Sequence, residues 1–279
     1  MKNIEKIFNE WINDEETKKR NLSETTIKNY TRTANNISFG ILNGQPTIIK
    51  KLKENYENPN SRATFLNMII MLRNYKDKDV DKLIIYRNQM KKEIEKLRKE
   101  NLTELDKELP NYEYLENQLK NLEGIKYIIN YLFLNFGFRN KDINLKYVEE
   151  LPEELTENYI TQVDKGYKLS INDYKTSKNY GEKVFFIRDK KFVKEMNKRD
   201  IKDGGYLIGN PKGGKYSSSN FNDIILKYTI DQLGESNLFK ILIKHLVDKK
   251  DFKRIDELSV SRGTSLETLI RNYNIYNNK

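Results

Sequence analysis

The chain has 279 residues, about twice a typical domain of roughly 100 to 200, so two domains are expected, and its 51 Lys and Arg against 41 Asp and Glu leave a net charge of +10 that puts nucleic acid first among partners. It contains no Cys and a single His, His245, which excludes disulfides, zinc fingers, iron–sulfur clusters, thiol nucleophiles and multi-histidine metal sites. No run approaches the ~18 apolar residues of a membrane span, and Met1 to Lys6 lacks a signal peptide's apolar stretch, so a soluble intracellular protein with no membrane partner is expected.

Ile4, Ile7, Phe8, Trp11 and Ile12 share one face at the 3.6-residue period, so the chain opens with an amphipathic helix. Ser23 starts a second one: its hydroxyl can accept from the first backbone N–H groups, Glu24 complements the positive end, and Ile27, Tyr30, Ala34 and Ile37 continue one face. Asn58-Pro59-Asn60-Ser61 repeats this grammar ahead of Phe65, Met68, Ile69 and Leu72. Lys28, Arg32, Arg62 and Arg73 fall on the polar sides, where they suit either phosphate contacts or ordinary solvated faces. From Val80 to Leu105 a long helix carries Leu83, Met90, Ile94 and Leu97 in heptad-like spacing, with Asn101 at the next seam position; it packs on its own domain or links to the next, with dimer pairing as the minority alternative. Leu109-Pro110-Asn111 breaks the pattern and sets the expected boundary, giving domains 1–109 and 110–279.

The second half begins with Tyr114, Leu115, Leu119 and Leu122, and the apolar stretch from Ile125 to Phe136 reads as a central buried helix ending near Gly137. Three short strands are expected over 159–163, 167–171 and 183–187, the first two joined by the hairpin signal Asp164-Lys165-Gly166. Helical patterns return at Phe192 to Met196, Phe221 to Ile230, Leu238 to Val247, Phe252 to Leu258 and Leu266 to Tyr273. The expected fold class is mainly α with a small antiparallel β-sheet: an all-helical first domain, then an α+β second one.

Three groups of residues carry a family resemblance. Arg139 lies in Phe136-Gly137-Phe138-Arg139-Asn140-Lys141-Asp142, Lys175 in Tyr174-Lys175-Thr176-Ser177 between the second and third strands, and Tyr273 in the last helical pattern. Their order and wording resemble the tyrosine recombinases, the phage-integrase family. Arg139-Asn140-Lys141-Asp142, Tyr180-Gly181-Glu182-Lys183 and Arg262-Gly263-Thr264-Ser265 are similar to the divergent integrase-like proteins of giant DNA viruses and virophages. The resemblance covers nearly the whole chain. It implies a helical core-binding, SAM-like DNA-binding domain, a catalytic α+β domain, duplex DNA as partner with dimer or tetramer assembly on it, and no cofactor or metal.

It also implies a set of roles. Tyr273 attacks a DNA phosphate to give a 3′-phosphotyrosine link, Arg139 with Lys244 and Arg262 holds the phosphorane, and Lys175 protonates the leaving 5′ oxygen. These residue types suit the chemistry, because fixed cations aimed at developing phosphorane charge are the largest stabilising effect available and a Tyr with a pKa near 10 needs activation. The sequence departs from the family where a His-x-x-Arg box is usual. In Phe239 to His245 either Lys244 takes the Arg position as a point charge, or Ile243 takes it, the cation is absent and Lys240 stands at the first His position; Thr264 stands where a later His or Trp is usual, with Arg262 two residues upstream. A DNA-binding descendant without catalysis and a type IB topoisomerase-like enzyme are the alternatives.

Plainer readings stand beside these. Arg139 after a buried helix suits a C-terminal cap, Lys175 and Lys178 suit a solvated hairpin, Tyr276 competes with Tyr273 as nucleophile, and His245 reads as a helix-surface residue. Gly209-Asn210-Pro211-Lys212-Gly213-Gly214-Lys215-Tyr216 nearly spells a P-loop, but Tyr216 stands where a Mg²⁺-binding hydroxyl is needed and no alternating strands and helices surround it. Lys212 and Lys215 there, like Lys178, are candidates for contact with the DNA backbone.

Overall fold

The computed structural model describes residues 3–19, 22, 24–174, 177–267 and 269. It divides into two compact units, Met1–Glu104 and Leu105–Lys279. The secondary structure is mostly helical with one small sheet, the fold class expected from the sequence. No described helix is long and apolar enough to cross a membrane.

The first unit is built from α1 (Asn3–Asn13), α2 (Glu15–Lys19), α3 (Glu24–Asn36), α4 (Gln45–Asn55), α5 (Pro59–Tyr75) and the opening turns of α6 (Asp81–Glu108). Ile4, Ile7, Phe8 and Trp11 on α1 enter a core shared with Ala34, Ile37, Leu52, Leu66, Ile69 and Leu72. Ser23, the expected cap of α3, lies outside the described residues. Asn58 does cap α5, its side-chain oxygen accepting from the N–H groups of Asn60 and Ser61. The sequence reading passed over α4, although Pro46 in its first turn and Ile48 and Leu52 on its buried face are ordinary helix signals. On α6, Leu83 and Met90 enter the core but Leu97 is exposed, so the heptad-like seam lapses after three turns.

Arg73 corrects the expectation of a solvent-facing cation. It is 5 % exposed, and its guanidinium donates to the backbone carbonyls of Ile41 and Asn43, both at 2.8 Å, and of Asp79 at 2.9 and 3.0 Å. It ties the loop before α4 to the loop before α6. Arg62 is also partly engaged within the fold, donating to the Tyr86 hydroxyl at 3.3 Å and lying 3.4 Å from Glu93. Lys28 and Arg32 are exposed on α3.

In the second unit α7 (Tyr112–Asn121) leads into α8 (Gly124–Phe136), whose apolar faces are buried nearly all round among α10 (Lys190–Asn197), α11 (Ser218–Tyr228), α12 (Glu235–Asp248) and α13 (Phe252–Arg262). Beside them lies a sheet of β1 (Leu145–Tyr147), β2 (Asn158–Val163), β3 (Gly166–Ile171) and β4 (Lys183–Ile187), in that spatial order, with the short α9 (Ser177–Tyr180) between β3 and β4. The three expected strands form the antiparallel β2–β3–β4 part. β1 pairs with β2 in parallel and makes the sheet mixed; at three residues it is too short to leave a periodic signal. The β2–β3 hairpin closes through Asp164 and Lys165, with Lys165 at φ 61°, and a Cβ on Gly166 would lie 2.1 Å from the Ile187 carbonyl oxygen, so only glycine fits beside β4.

Replacing Arg73 with Met should lower stability by about 2–4 kcal/mol, because two loops lose the donor that satisfies three of their carbonyls. Lys28→Ala should change it by less than about 0.5 kcal/mol. Denaturant midpoints of the two variants measure both, and equal midpoints would remove Arg73 from the fold's buried network.

Candidate functional site

Two helix C-termini meet in the second unit. α8 ends at Gly137, which adopts the left-handed conformation (φ 61°) and donates its N–H to the Phe133 carbonyl. A Cβ there would lie 2.5 Å from the ring of Phe239 on α12, so glycine is required both by the backbone and by the ring against it. α13 ends at Gly263, also left-handed. The Ser261 hydroxyl donates to the Phe136 carbonyl at 2.6 Å, and Arg262 donates to the Gly137 carbonyl at 2.8 Å, joining the two ends.

Arg139 and Arg262, distant in sequence, are brought together here. Arg262 is 1 % exposed; its guanidinium lies over the Phe239 ring, 4.0 Å from the centroid, and donates to Glu235 at 2.9 Å. Glu235, at the start of α12, also accepts from the Asn140 backbone N–H. Arg139 is half-buried and donates through Nη1 to the carbonyl of Arg262. Its own backbone N–H donates to Asp142 Oδ2 at 2.8 Å. Asp142 is 2 % exposed, and burial pushes its carboxyl up from the ordinary value, against the lowering effects of the Arg139 N–H and of the Arg139 and Arg262 charges.

The sequence reading missed a third cation in this place. Lys183, the first residue of β4, donates to the Ser261 carbonyl at 3.0 Å and lies 3.8 Å from the centroid of the Tyr174 ring. Burial lowers its pKa from 10.5 to about 8, with Asp142 opposing the shift and Arg139 adding to it. Asn158 on β2 holds the neighbouring loops in register: its amide donates to the carbonyls of Lys141 and Asp173, and its oxygen accepts from the N–H groups of Asn172 and Asp173. Asp142, three residues after Arg139, and Lys183, in the quoted Tyr180 to Lys183 wording, were both visible as residues. Neither carried a signal that it would fold against Arg139.

Other expected site residues lie elsewhere or outside the described set. Lys175, Tyr273 and Tyr276 are not among the described residues. Lys178 belongs to α9. Lys244 lines a cleft of about 310 Å³ with Pro110, Tyr112, Glu113 and His245; within it His245 stacks on Tyr112 at 4.2 Å and approaches Glu113 at 3.3 Å. The α12 residues that meet Arg262 are Glu235 and Phe239. Lys240, next to Phe239, is half-buried, and burial lowers its pKa.

The P-loop-like segment folds as a turn. Asn210 accepts through its backbone carbonyl from Gly213, donates its N–H to Gly214, and uses its side-chain oxygen to accept from the N–H groups of Lys212 and Gly214. A phosphate cradle needs those N–H groups, and here the loop's own amide takes them. Lys212 is exposed, and Lys215 donates to Glu157 at 3.2 Å. Among the described residues no group of three His, Cys, Asp or Glu is placed to hold a metal ion.

No protein-family model matches the chain, and no curated protein matches it by sequence. Among solved structures, one described as the crystal structure of XerA recombinase is similar over 98 % of this chain and 95 % of that one, with 12 % identity and a TM-score of 0.39.

The depressed Lys183 makes stability depend on pH with a definite sign. Between about pH 8 and 10.5 the unfolded chain holds its Lys183 proton more tightly than the folded one, so the penalty for burying the charge is full below pH 8 and fades as pH rises through that window. The wild type should gain stability relative to Lys183→Met between pH 7 and 9.5, as read from denaturant midpoints at the two pH values. A constant difference between the two proteins would show that Lys183 is not buried as a cation.

Proposed function

We propose that this chain is a DNA-binding protein that cleaves and rejoins DNA strands by tyrosine-recombinase chemistry, with Tyr273 as nucleophile and Arg139 as the principal phosphate-holding group. The observation that carries the reading is the cluster at the ends of α8 and α13. There the half-buried Arg139 is fixed by Asp142 through its backbone and by the Arg262 carbonyl through its side chain. A guanidinium held by fixed partners needs little reorganisation, which is what stabilising a developing phosphorane requires. The basic balance of the chain and the exposed Lys28 and Arg32 on the first unit fit a long polyanion as substrate.

In this reading the Tyr273 oxygen attacks phosphorus, the bond to the 5′ oxygen breaks, and a 3′-phosphotyrosine ester forms. The tyrosine proton leaves to solvent or a nearby base, and Lys175 supplies the proton taken by the 5′ oxygen. A second attack by a 5′ hydroxyl reverses the bonds and releases the tyrosine. The ester conserves the energy of the broken linkage, so no nucleotide cofactor is consumed. Arg262 acts in this scheme as a positioning residue, because its guanidinium is buried on Glu235, Phe239 and the Gly137 carbonyl while its own carbonyl receives Arg139. Assembly as a dimer or tetramer on paired sites belongs to the same proposal. A topoisomerase would use the same steps on single sites and relax supercoils.

A second reading, binding without cleavage, is favoured by two placements: the buried guanidinium of Arg262, and Lys244 in the cleft beside His245. Both remove from the described cluster cations that the recombinase family's chemistry expects.

Incubating the protein with a labelled suicide-duplex library and resolving the products on a denaturing gel decides between the readings. Label at protein mass in the wild type, lost in Tyr273→Phe and reduced at least 100-fold in Arg139→Ala, is the expected result. Adduct persisting in Tyr273→Phe would move the nucleophile to Tyr276, and native-gel retardation without adduct for any sequence would establish the binding-only reading. For the proton donor, Lys175→Ala should slow cleavage of an ordinary duplex and recover on one with a 5′-bridging thiolate leaving group. A variant equally slow on both substrates would take that role from Lys175.

A further inference from the structure

β4 is an edge strand, paired with β3 on one side only. The Ile187 carbonyl oxygen lies against Gly166 at the start of β3, and backbone groups alternate in direction along an antiparallel strand. Lys183, Phe185 and Ile187 therefore turn their N–H and C=O groups toward β3, while Val184 and Phe186 turn theirs to the open edge. Among the described residues no backbone hydrogen bond from another element reaches Val184 or Phe186.

The side chains beside that edge are open as well. Glu182, Val184, Phe186 and Arg188 alternate along the outer face and are exposed, Val184 at 42 % and Phe186 at 59 %. Phe185, on the inner face, packs on Phe136 and Phe138. An unpaired edge with apolar side chains is a template for another strand, and charges or a proline are the usual guards against that. Here no proline interrupts the strand, and the outward charges at its two ends are opposite in sign.

We propose that this edge pairs with the same edge of a second copy of the chain, β4 antiparallel to β4 about a two-fold axis through Phe185. The pattern is its own complement. With Phe185 opposite Phe185, each Val184 faces a Phe186 and each Glu182 faces an Arg188, so a patch of four apolar side chains is closed at both ends by an ion pair. The backbone agrees with this register. Val184 and Phe186, whose groups point outward, become directly hydrogen-bonded partners, and the two Phe185 residues form the non-bonded pair on the axis. A shift of two residues sets Phe186 against Glu182 or Val184 against Arg188, and a shift of one puts the backbone groups out of phase. The Ser170 hydroxyl, opposite Val184 on β3, donates to Glu182 Oε1 at 2.5 Å and holds that carboxylate on the outer face. A strand of five residues offers less than the ~1,200 Å² of a standard interface, so the dimer forms reversibly with concentration.

The surface is separate from the DNA-phosphate reading, and its test uses no DNA. Sedimentation velocity is run on the full chain from about 10 μM to 1 mM, the range of weak association. The wild type should pass from monomer to dimer across that range. Glu182→Arg alone and Arg188→Glu alone each place like charges opposite one another at both ends and should abolish the dimer, whereas the two substitutions together restore opposite charges and should recover it. Because the chain has no cysteine, register can be read directly. Val184→Cys mixed with Phe186→Cys should form a cross-linked dimer under mild oxidation several-fold faster than either variant alone. A wild type that stays monomeric throughout, or a dimer that the single charge variants leave intact, would overturn the proposal. Failure of the paired substitution to recover the dimer would do the same, as would cross-linking of either cysteine variant alone at the rate of the mixture.

Discussion

The second unit depends on how it satisfies two helix C-termini brought against each other. The last carbonyls of a helix have no partner within it and carry the negative end of its dipole, so two such ends cannot approach unless donors, preferably cationic ones, come with them. α8 and α13 meet this constraint with side chains from elsewhere in the fold. Arg254 donates to Asn135, Ser261 to Phe136 and Arg262 to Gly137, while Arg139 and Lys183 return donors to Arg262 and Ser261. Left-handed glycines end both helices, and Gly137 also clears the space in which Phe239 supports the Arg262 guanidinium.

From this follows a division of labour among the cations. Arg262 is enclosed and pairs with the partly buried Glu235, so removing Glu235 would take a carboxylate partner from a buried cation. Arg139 and Lys183 satisfy the same kind of carbonyl but reach toward solvent. The plainer reading of Arg139 as a helix-end cation and the functional reading of it as a phosphate holder therefore describe one arrangement. The helix ends gather positive charge because they need it, and Arg139 and Lys183 carry the partly exposed share of that charge.

The fold was legible where the chain repeats a period or spells a cap. The apolar face of α1, the Asn58 cap, the buried α8 with Gly137 behind it, and the β2–β3 hairpin all stand in the sequence as local patterns. What was not legible was set by tertiary partners. Arg73 has the sequence context of a surface cation and is buried because three loop carbonyls converge on it. β1 exists because Leu145 to Tyr147 can pair beside Asn158 to Ile160, not because of its own composition. For the site, Arg139 and Arg262 could be picked out by resemblance, but the partners that give each its role could not. Asp142, Glu235 and Lys183 acquire meaning only once α8, α12, α13 and β4 are folded together.

The same electrostatics sets a cost for the folded state. Holding Lys183 as a cation beside Arg139 works against the folded state, and Asp142 offsets only part of that penalty because it is itself buried away from water. Both cations are held in place by helix-end carbonyls, Arg139 by that of Arg262 and Lys183 by that of Ser261. Arg262 is held differently, by the Glu235 carboxylate as well as by a carbonyl. Arg139 and Lys183, the half-buried cations, therefore differ from the enclosed Arg262 in being held by backbone carbonyls with partial access to solvent.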